Sequence, residues 1–370
     1  MNKKIVLILI IILIVLGAFL TGYLINRRSF PAQIQTGSPN NLERFSGRTF
    51  PPENQKLVAE RLLKISTVTA LSPTLSKNGN SIVFYEKTSG KVFEADFSGS
   101  TKSISEKTLP GLLSTIWSAN KKEVISRFVN KVAYFNYETN KNISLNKNIR
   151  AVAFSPDGSK IAYLYFDPAT QSGSISISKP DGTLFKNILN TRLENADIYW
   201  PAEDVIAFNR RVVDKEPVSL LTLDTDGEKL NKIVSEKVGL EAIFDNEGRS
   251  LVYSFFNENG GLKLFHKNLI SGDEVELPNP TFAKKCVWSV DNINLLCAVP
   301  SGLPSQFILS DNFFSQDSIY RTNTLTKESE LLVDLSGNEV DARDLILSPL
   351  EDNLIFVNKQ NGFLYRLSLQ

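Results

Sequence analysis

The residues best suited to chemistry in this sequence are one histidine and two cysteines, in a chain of 370 residues. His266 lies in the stretch KLFHKNL, which is typical of a β-strand, and a single histidine there is interpreted as a packing residue. Cys286 and Cys297 flank the turn VWSVDN at equal distances from its centre. In a hairpin of that register their Cα atoms lie roughly 4.5 Å apart, within reach of a disulfide. The spacing predicts a Cys286–Cys297 disulfide, with two reduced, buried cysteines as the alternative.

Motifs for catalysis, cofactors and metals are missing from the sequence. One histidine and two cysteines do not supply a zinc site of the usual types, and no G-x-S-x-G, Walker or G-x-G-x-x-G motif occurs. Residues 224–228 (DTDGE) resemble the start of a calcium loop, but the early glycine favours an ordinary turn. We assign no catalytic, cofactor-binding or metal-binding residue and predict a protein that is not an enzyme. A site made of paired Asp and Glu side chains from separate segments is an open alternative, because such side chains could meet in the fold.

The elements that position these residues repeat along the chain. An apolar strand, a tight polar turn and a second apolar strand recur seven times after residue 68. The clearest copy is AFSPDGSKIAYLYF at residues 153–166, and the others begin at residues 75, 116, 199, 243, 287 and 345. A second hairpin follows in most copies, with Gly, Asn or Asp at its turn. Four strands per repeat (a to d), with b strands apolar throughout, predict an all-β, seven-bladed propeller of four-stranded antiparallel blades.

The run FSPDGSKIAYL at residues 154–164 resembles the repeat of TolB-like β-propellers, in which an SPDG turn joins an aromatic-ended strand to an apolar one. The likeness extends over about 300 residues, although the other copies keep the position of the turn and lose its residues. The resemblance implies the propeller fold. Relatives of this type bind proteins, cap hydrolase domains or have no assigned role, so the fold does not determine the function.

The last repeat has strands a, b and c and then ends at residue 370. A candidate for its missing fourth strand is RLLKIST at residues 61–67, which is similar to the other d strands. Pairing of the two termini would close the ring and cover its edges. We therefore predict one domain over residues 53–370, closed by this N-terminal strand. The alternative is an amphipathic helix, because KLVAERLLK has helical spacing.

The N-terminus carries a membrane-anchor pattern. A short basic tail, residues 1–4, precedes an uncharged apolar run at residues 5–25, which is long enough to cross a bilayer. No cleavage site follows, so the run predicts an uncleaved, single-pass signal anchor. The tail favours a cytoplasmic N-terminus and an extracytoplasmic propeller, although Arg27 and Arg28 oppose this orientation. Residues 26–52 are rich in Pro, Gly, Ser and Asn and predict a flexible linker.

The predicted function follows from these elements. The chain carries 41 Lys plus Arg and 40 Asp plus Glu, so its net charge does not favour nucleic acid, and no nucleotide motif occurs. We predict a membrane-tethered protein-binding or scaffold module of the cell envelope; a carboxylate-based glycan-active enzyme or glycan-binding propeller is the alternative. The loop at residues 300–318 departs most from the repeat and is the predicted partner-binding surface. Its large apolar residues are Phe307, Ile308, Leu309, Phe313 and Phe314.

Overall fold

Short antiparallel sheets make up the whole of the described structure. The computed structural model describes residues 60–211, 215–302 and 314–370. Within them the strands form five four-stranded sheets and one seven-stranded sheet. The seven-stranded sheet contains two repeats that share one long strand. The sheets therefore correspond to seven repeat units in chain order, and this all-β arrangement confirms the predicted sheet type.

The first three units each form a separate sheet from four consecutive strands. Unit 1 contains β2 Ala70–Leu75, β3 Ser81–Glu86, β4 Val92–Asp96 and β5 Thr101–Ser105; unit 2 contains β6 Leu112–Trp117, β7 Glu123–Phe128, β8 Val132–Asn136 and β9 Asn142–Leu145; unit 3 contains β10 Ile149–Phe154, β11 Ile161–Asp167, β12 Ser172–Ser178 and β13 Lys186–Thr191.

Units 4 and 5 are joined through β17, which is the last strand of one unit and the first strand of the next. Unit 4 contains β14 Ala196–Ala202, β15 Val205–Arg210, β16 Pro217–Asp224 and β17 Leu230–Phe244; unit 5 adds β18 Ser250–Phe256, β19 Leu262–Asn268 and β20 Glu274–Glu276. A short 3-10 helix, Ala283–Lys285, leads into unit 6, which contains β21 Cys286–Trp288, β22 Asn294–Pro300, β23 Asp317–Asn323 and β24 Ser329–Asp334.

Unit 7 combines both ends of the described chain. Strands β25 Ala342–Leu347, β26 Asn353–Asn358 and β27 Leu364–Ser368 are completed by β1 Leu62–Lys64, which pairs antiparallel with β27. Leu62 lies opposite Leu367, and the Arg61 side chain donates to the carbonyls of Ser368 and Leu332 at 2.9 and 3.1 Å. The two ends of the described chain therefore lie in one sheet.

The core lies between adjacent sheets. Strands β18 and β26 are buried along their whole length, as expected for strands with a packed sheet on each face. Each hydrophobic cluster draws mainly on neighbouring units; Ile206 of unit 4, for example, packs with Ile175 and Leu164 of unit 3. Among the described residues, no helix is long and apolar enough to span a membrane. The predicted anchor, residues 5–25, lies outside them.

Candidate functional site

Cys286 and Cys297 occupy directly paired positions on β21 and β22. They form a disulfide, with their Cα atoms 4.1 Å apart, and both residues are buried. His266 lies on β19 and packs edge-on against Trp288, with ring centroids 6.0 Å apart. Burial lowers the pKa of His266, so the neutral form is favoured in this packing position.

The structure also describes the turn at residues 224–228 and part of the predicted partner-binding loop. Asp224 accepts hydrogen bonds from the backbone amides of Glu228 and Lys229, which is ordinary turn chemistry. Of the predicted partner-binding residues, only Phe314 is described. Its side chain is half-exposed, and the Lys359 ammonium lies 5.4 Å from the ring centroid. The remaining four, Phe307, Ile308, Leu309 and Phe313, lie outside the described residues.

A group of charged side chains gathers where the first strands of several units begin. We call it the axial cluster, and its members are Arg127, Arg150, Asp197, Arg211, Glu241 and Lys284. Register shifts accompany two of them: one lies between Ile149 and Ala151 in β10, and another lies between Val238 and Glu241 in β17. Such bulges redirect side chains out of the regular alternation of a strand. Arg150 and Glu241 lie at these two bulges, each followed by an apolar stretch of its strand.

Contacts within the cluster join units that are not neighbours in the chain. Arg211 donates through Nε to Asp197 Oδ1 at 3.0 Å, and Lys284 Nζ lies 3.2 Å from Asp197 Oδ2. Asp197 belongs to unit 4, whereas Lys284 immediately precedes the first strand of unit 6. Side chains of non-adjacent units meet only if those units surround a common axis. The axial cluster therefore lies where the units converge.

Two carboxyl groups of the cluster have pKa values shifted in opposite directions. Burial alone would raise the pKa of Asp197, but the positive charges of Lys284 and Arg211 hold it below its ordinary value. Burial raises the pKa of Glu241, and the nearby charge of Lys284 only partly opposes this effect. The backbone amide of Lys284 also donates to Glu241 Oε2 at 3.4 Å. One ionised and one more readily protonated carboxyl group in a shared site is the arrangement of an acid–base pair.

A tyrosine hydroxyl adjoins this pair. Tyr199 Oη is buried and has no hydrogen-bond partner among the described residues. Burial, followed by the charges of Asp197 and Glu241, raises the pKa of Tyr199, which keeps the phenol protonated. An unsatisfied buried hydroxyl costs free energy, so we expect a water molecule or a polar ligand group to bind it.

Three guanidinium groups join the Lys284 ammonium as the cations of the cluster. Burial and the neighbouring charges of Arg211 and Arg150 lower the pKa of Arg127. The Nε atom of Arg150 is buried without a hydrogen-bond partner among the described residues. Within the described part of the chain, Arg211 is the one of the three that is held by a carboxylate, that of Asp197. Guanidinium groups that converge in this way are complementary to an anion, since each presents a planar fork of N–H donors to carboxylate or phosphate oxygens.

A second charged group, centred on Lys285, lies between units 6 and 7. Lys285 Nζ donates to Asp317 Oδ2 and Asp341 Oδ1, both at 2.6 Å, and to Ser315 Oγ at 2.9 Å. Both carboxylates are buried, and Asp317 Oδ2 also accepts a hydrogen bond from the Ala342 amide at 2.7 Å. This ammonium joins carboxylates from two units, so it stabilises the packing of one sheet against the next.

Comparisons with solved structures identify the class of fold. An oligogalacturonate lyase in complex with manganese superposes with a TM-score of 0.63 and 10% identity, over 84% of this chain and 93% of that one. An oligogalacturonate lyase from Vibrio parahaemolyticus superposes with a TM-score of 0.61 and 11% identity, over 83% of this chain and 93% of that one. An uncharacterized protein from Listeria monocytogenes EGD-e superposes with a TM-score of 0.55 and 12% identity, over 82% of this chain and 96% of that one. The chain therefore has a β-propeller fold.

Sequence comparison adds no closer assignment, because neither a protein-family model nor a curated protein matches the chain. The predicted propeller fold is confirmed. The prediction that the chain is not an enzyme is wrong, because two of its structural neighbours are lyases, which are enzymes. That prediction relied on missing sequence motifs, and it overlooked charged residues that come together only in the folded chain.

Because one of these neighbours is in complex with manganese, candidate metal ligands among the described residues are relevant here. Within residues 60–211, 215–302 and 314–370, no group of three or more His, Cys, Asp or Glu could hold a metal ion. The carboxylates of Asp317 and Asp341 do come together, but the Lys285 ammonium occupies the space between them. These residues do not fit a metal ion.

The sequence contains one signal for the axial cluster that motif analysis overlooked. The first strand of a unit is mainly apolar, yet several of these strands carry a charge near their start. Examples are Arg150 in IRAVAF, Asp197 in ADIYWPA, Glu241 in VGLEAIF and Arg343 in ARDLIL. A charge repeated at one position of the repeat indicates side chains that meet at the axis.

Proposed function

We propose that this chain is a seven-bladed, TolB-like propeller that cleaves glycosidic bonds in acidic glycans at the axial cluster. The observation that carries the proposal is that two carboxyl groups, those of Asp197 and Glu241, both contact Lys284, at 3.2 and 3.4 Å. The charges of Arg150 and Arg211 act on the neighbouring Arg127 in the same cluster. Two carboxyl groups of this kind are the usual means of cleaving a glycosidic bond. Two distant structural neighbours are named as lyases of an acidic oligosaccharide, which supports the substrate class of the proposal and not its reaction type.

Each residue has a separate role in the proposed reaction. Glu241, whose pKa is raised by burial, is the proton donor to the leaving glycosidic oxygen in this proposal. Asp197 stays ionised, stabilises the positive charge that develops on the sugar ring, and accepts a proton from the water molecule whose oxygen bonds to the anomeric carbon. Arg127 and Arg150 bind the carboxylate of the substrate and so align the scissile bond. Tyr199 donates a hydrogen bond to a sugar oxygen, which would satisfy its buried hydroxyl.

Binding to acidic and neutral oligosaccharides tests the recognition step. Titration calorimetry should detect trigalacturonate and not maltotriose, because only the former carries carboxylates. Arg127→Gln combined with Arg150→Gln should weaken trigalacturonate binding by roughly tenfold or more, as expected for the loss of charged hydrogen bonds. Arg249→Gln is the matched control, since that arginine is exposed in the turn between β17 and β18. Equal affinity for the two sugars would contradict the assignment.

We also propose that the propeller is tethered to a membrane through residues 5–25 and lies outside the cytoplasm. The uncharged run supports the tether. The Cys286–Cys297 disulfide supports an oxidising compartment. Protease added to intact spheroplasts should then release the propeller domain. A domain protected until the membrane is broken would reverse this topology.

A second candidate function is the binding of an envelope protein by the loop at residues 300–318. The observation in its favour is the half-exposed side chain of Phe314 at one end of this loop. Phe314→Ser should leave the melting temperature unchanged and remove a partner that co-purifies from membranes. Val129→Ser is a suitable control, because Val129 is an equally apolar, exposed residue on another unit. An unchanged set of co-purifying proteins would contradict this role.

A further inference from the structure

A cavity between units 1 and 2 has features of a separate ligand-binding site. It holds about 240 Å³, roughly eight times the ~30 Å³ that a water molecule occupies in the liquid. Four aromatic residues line it: Tyr85, Phe128, Phe135 and Tyr137. Arg127 lies on the same strand between Ser126 and Phe128, and strand alternation directs it to the opposite face. The cavity and the axial cluster are therefore distinct sites.

The aromatic walls are fixed by contacts with one another. Tyr85 Oη and Tyr137 Oη are 2.6 Å apart, and Trp117 stacks on Tyr137 with ring centroids 5.6 Å apart. Phe135 meets Tyr137 edge-on, with centroids 4.8 Å apart. Three of the four rings, those of Tyr85, Phe135 and Tyr137, are thus held by a neighbouring ring, so this wall of the cavity is preformed. Rigid aromatic walls favour a flat ligand, which can stack on them at little entropic cost.

Charge at the cavity has a single sign. Two lysines line it, and no Asp or Glu is found among the described lining residues. The Lys107 ammonium lies 5.4 Å from the Phe135 ring centroid, and the Lys131 ammonium lies 5.7 Å from that of Phe128. Both lysines are exposed, so their ammonium groups can reach a ligand at the rim. An apolar, aromatic interior with two cations at its edge is complementary to a flat aromatic molecule that carries a carboxylate.

We propose that this inter-unit cavity binds a small aromatic carboxylic acid. The aromatic ring enters between Tyr85, Phe128 and Phe135, and the carboxylate lies at the rim between Lys107 and Lys131. The proposal is independent of the activity proposed for the axial cluster, because it shares no residue with that site. It rests on the lining residues, on their mutual contacts and on the unbalanced positive charge.

Calorimetric titration of the full chain with naphthalene-2-carboxylate tests this site directly. We expect saturable binding, and roughly fivefold weaker binding of the neutral 2-naphthamide, because the amide lacks the charge. Lys107→Gln combined with Lys131→Gln should remove the preference for the acid. Lys232→Gln, an exposed lysine on unit 4, should keep it. Equal affinity of the acid and the amide for the unmodified chain would overturn the proposal.

A cavity-filling change separates the interior from the surface lysines. Ala133 is buried and lines the cavity, so Ala133→Leu should abolish binding while both lysines remain. A thermal melting curve of the Ala133→Leu variant, measured in parallel, establishes that it is folded. If Ala133→Leu binds as tightly as the unmodified chain, the acid binds surface lysines only and the proposal fails. Octanoate should bind more weakly than naphthalene-2-carboxylate, and tighter binding of octanoate would overturn the aromatic assignment.

Discussion

Lys284 and Asp197 form an ion pair between units 6 and 4, with Nζ and Oδ2 3.2 Å apart. The two residues are separated by 87 positions in the chain, and an entire unit lies between them in sequence. Such a contact requires that the first strands of the units surround one axis. It also keeps Asp197 ionised next to Glu241, whose pKa is raised by burial. The same ion pair thus connects the propeller architecture to the proposed chemistry.

Replacement of Lys285 by methionine should destabilise the chain by about 3–5 kcal/mol, because it leaves the buried carboxylates of Asp317 and Asp341 without their cation. Chemical denaturation at neutral pH measures this loss. Lys263→Met is the control: its ion pair with Glu276 is partly exposed, so a loss below about 1 kcal/mol is expected. The same loss in both variants would rule out a special role for Lys285.

The stability deficit of Lys285→Met should shrink as the pH falls. Without the ammonium, burial raises the pKa of Asp317 further above its unfolded value, so the folded state binds protons more readily. An acid with a raised folded pKa gains stability as the pH decreases towards its unfolded pKa. Chemical denaturation of both proteins at several pH values between 7 and 4 measures whether this deficit shrinks or grows. A deficit that is constant or grows over this range would contradict the explanation.

Removal of the N-terminal strand should destabilise unit 7. Strand β1 pairs with β27, Ile65 is fully buried, and the Leu364 amide donates to Ser66 Oγ at 2.8 Å. A chain that lacks residues 2–67 should therefore melt well below one that lacks residues 2–52. Ile65→Ala offers a milder test, with an expected loss of about 2–5 kcal/mol. Equal melting temperatures of the two truncations would show that β1 is dispensable.

The Cys286–Cys297 disulfide should be present in protein purified without reductant. Because it closes a short loop, its removal by a double change to alanine should cost roughly 2–3 kcal/mol. Intact mass after alkylation of the unfolded protein checks the bond itself: no alkyl group is expected before reduction and two are expected after it. Two alkyl groups before reduction would establish that both thiols are free.

The SPDG turn should contribute stability that is lost in acid. Hydrogen bonds from Ser155 and Ser159 lower the pKa of Asp157 to about 2. A depressed folded pKa gives stability above the unfolded pKa, near 4, that is lost as the pH falls towards about 2. Asp157→Asn should therefore flatten the stability profile in that window, by a small amount because the side chain is exposed. An unchanged slope between pH 4 and 2 would contradict this reading.

Local patterns predicted the sheets and the cysteine pair, because turn residues and strand alternation act over short stretches of sequence. Cys286 and Cys297 flank one turn, so their register follows from the hairpin alone. The axial cluster is different. Lys284 and Asp197 meet only because the units close around an axis, and no single motif contains both residues. No sequence motif therefore pointed to this cluster, although charged residues at the start of the first strands were a usable signal.

The most direct measurement of the central claim is the cleavage of acidic oligosaccharides by the full chain and by Glu241→Gln. We expect the unmodified chain to produce new reducing ends from trigalacturonate and none from maltotriose. Its rate should fall as the pH rises through the raised pKa of Glu241, since the proton donor is then lost. Glu241→Gln should be at least about 100-fold slower, with trigalacturonate binding retained. A Glu241→Gln variant as active as the unmodified chain, or a chain that binds acidic sugars without cleaving any, would contradict the account.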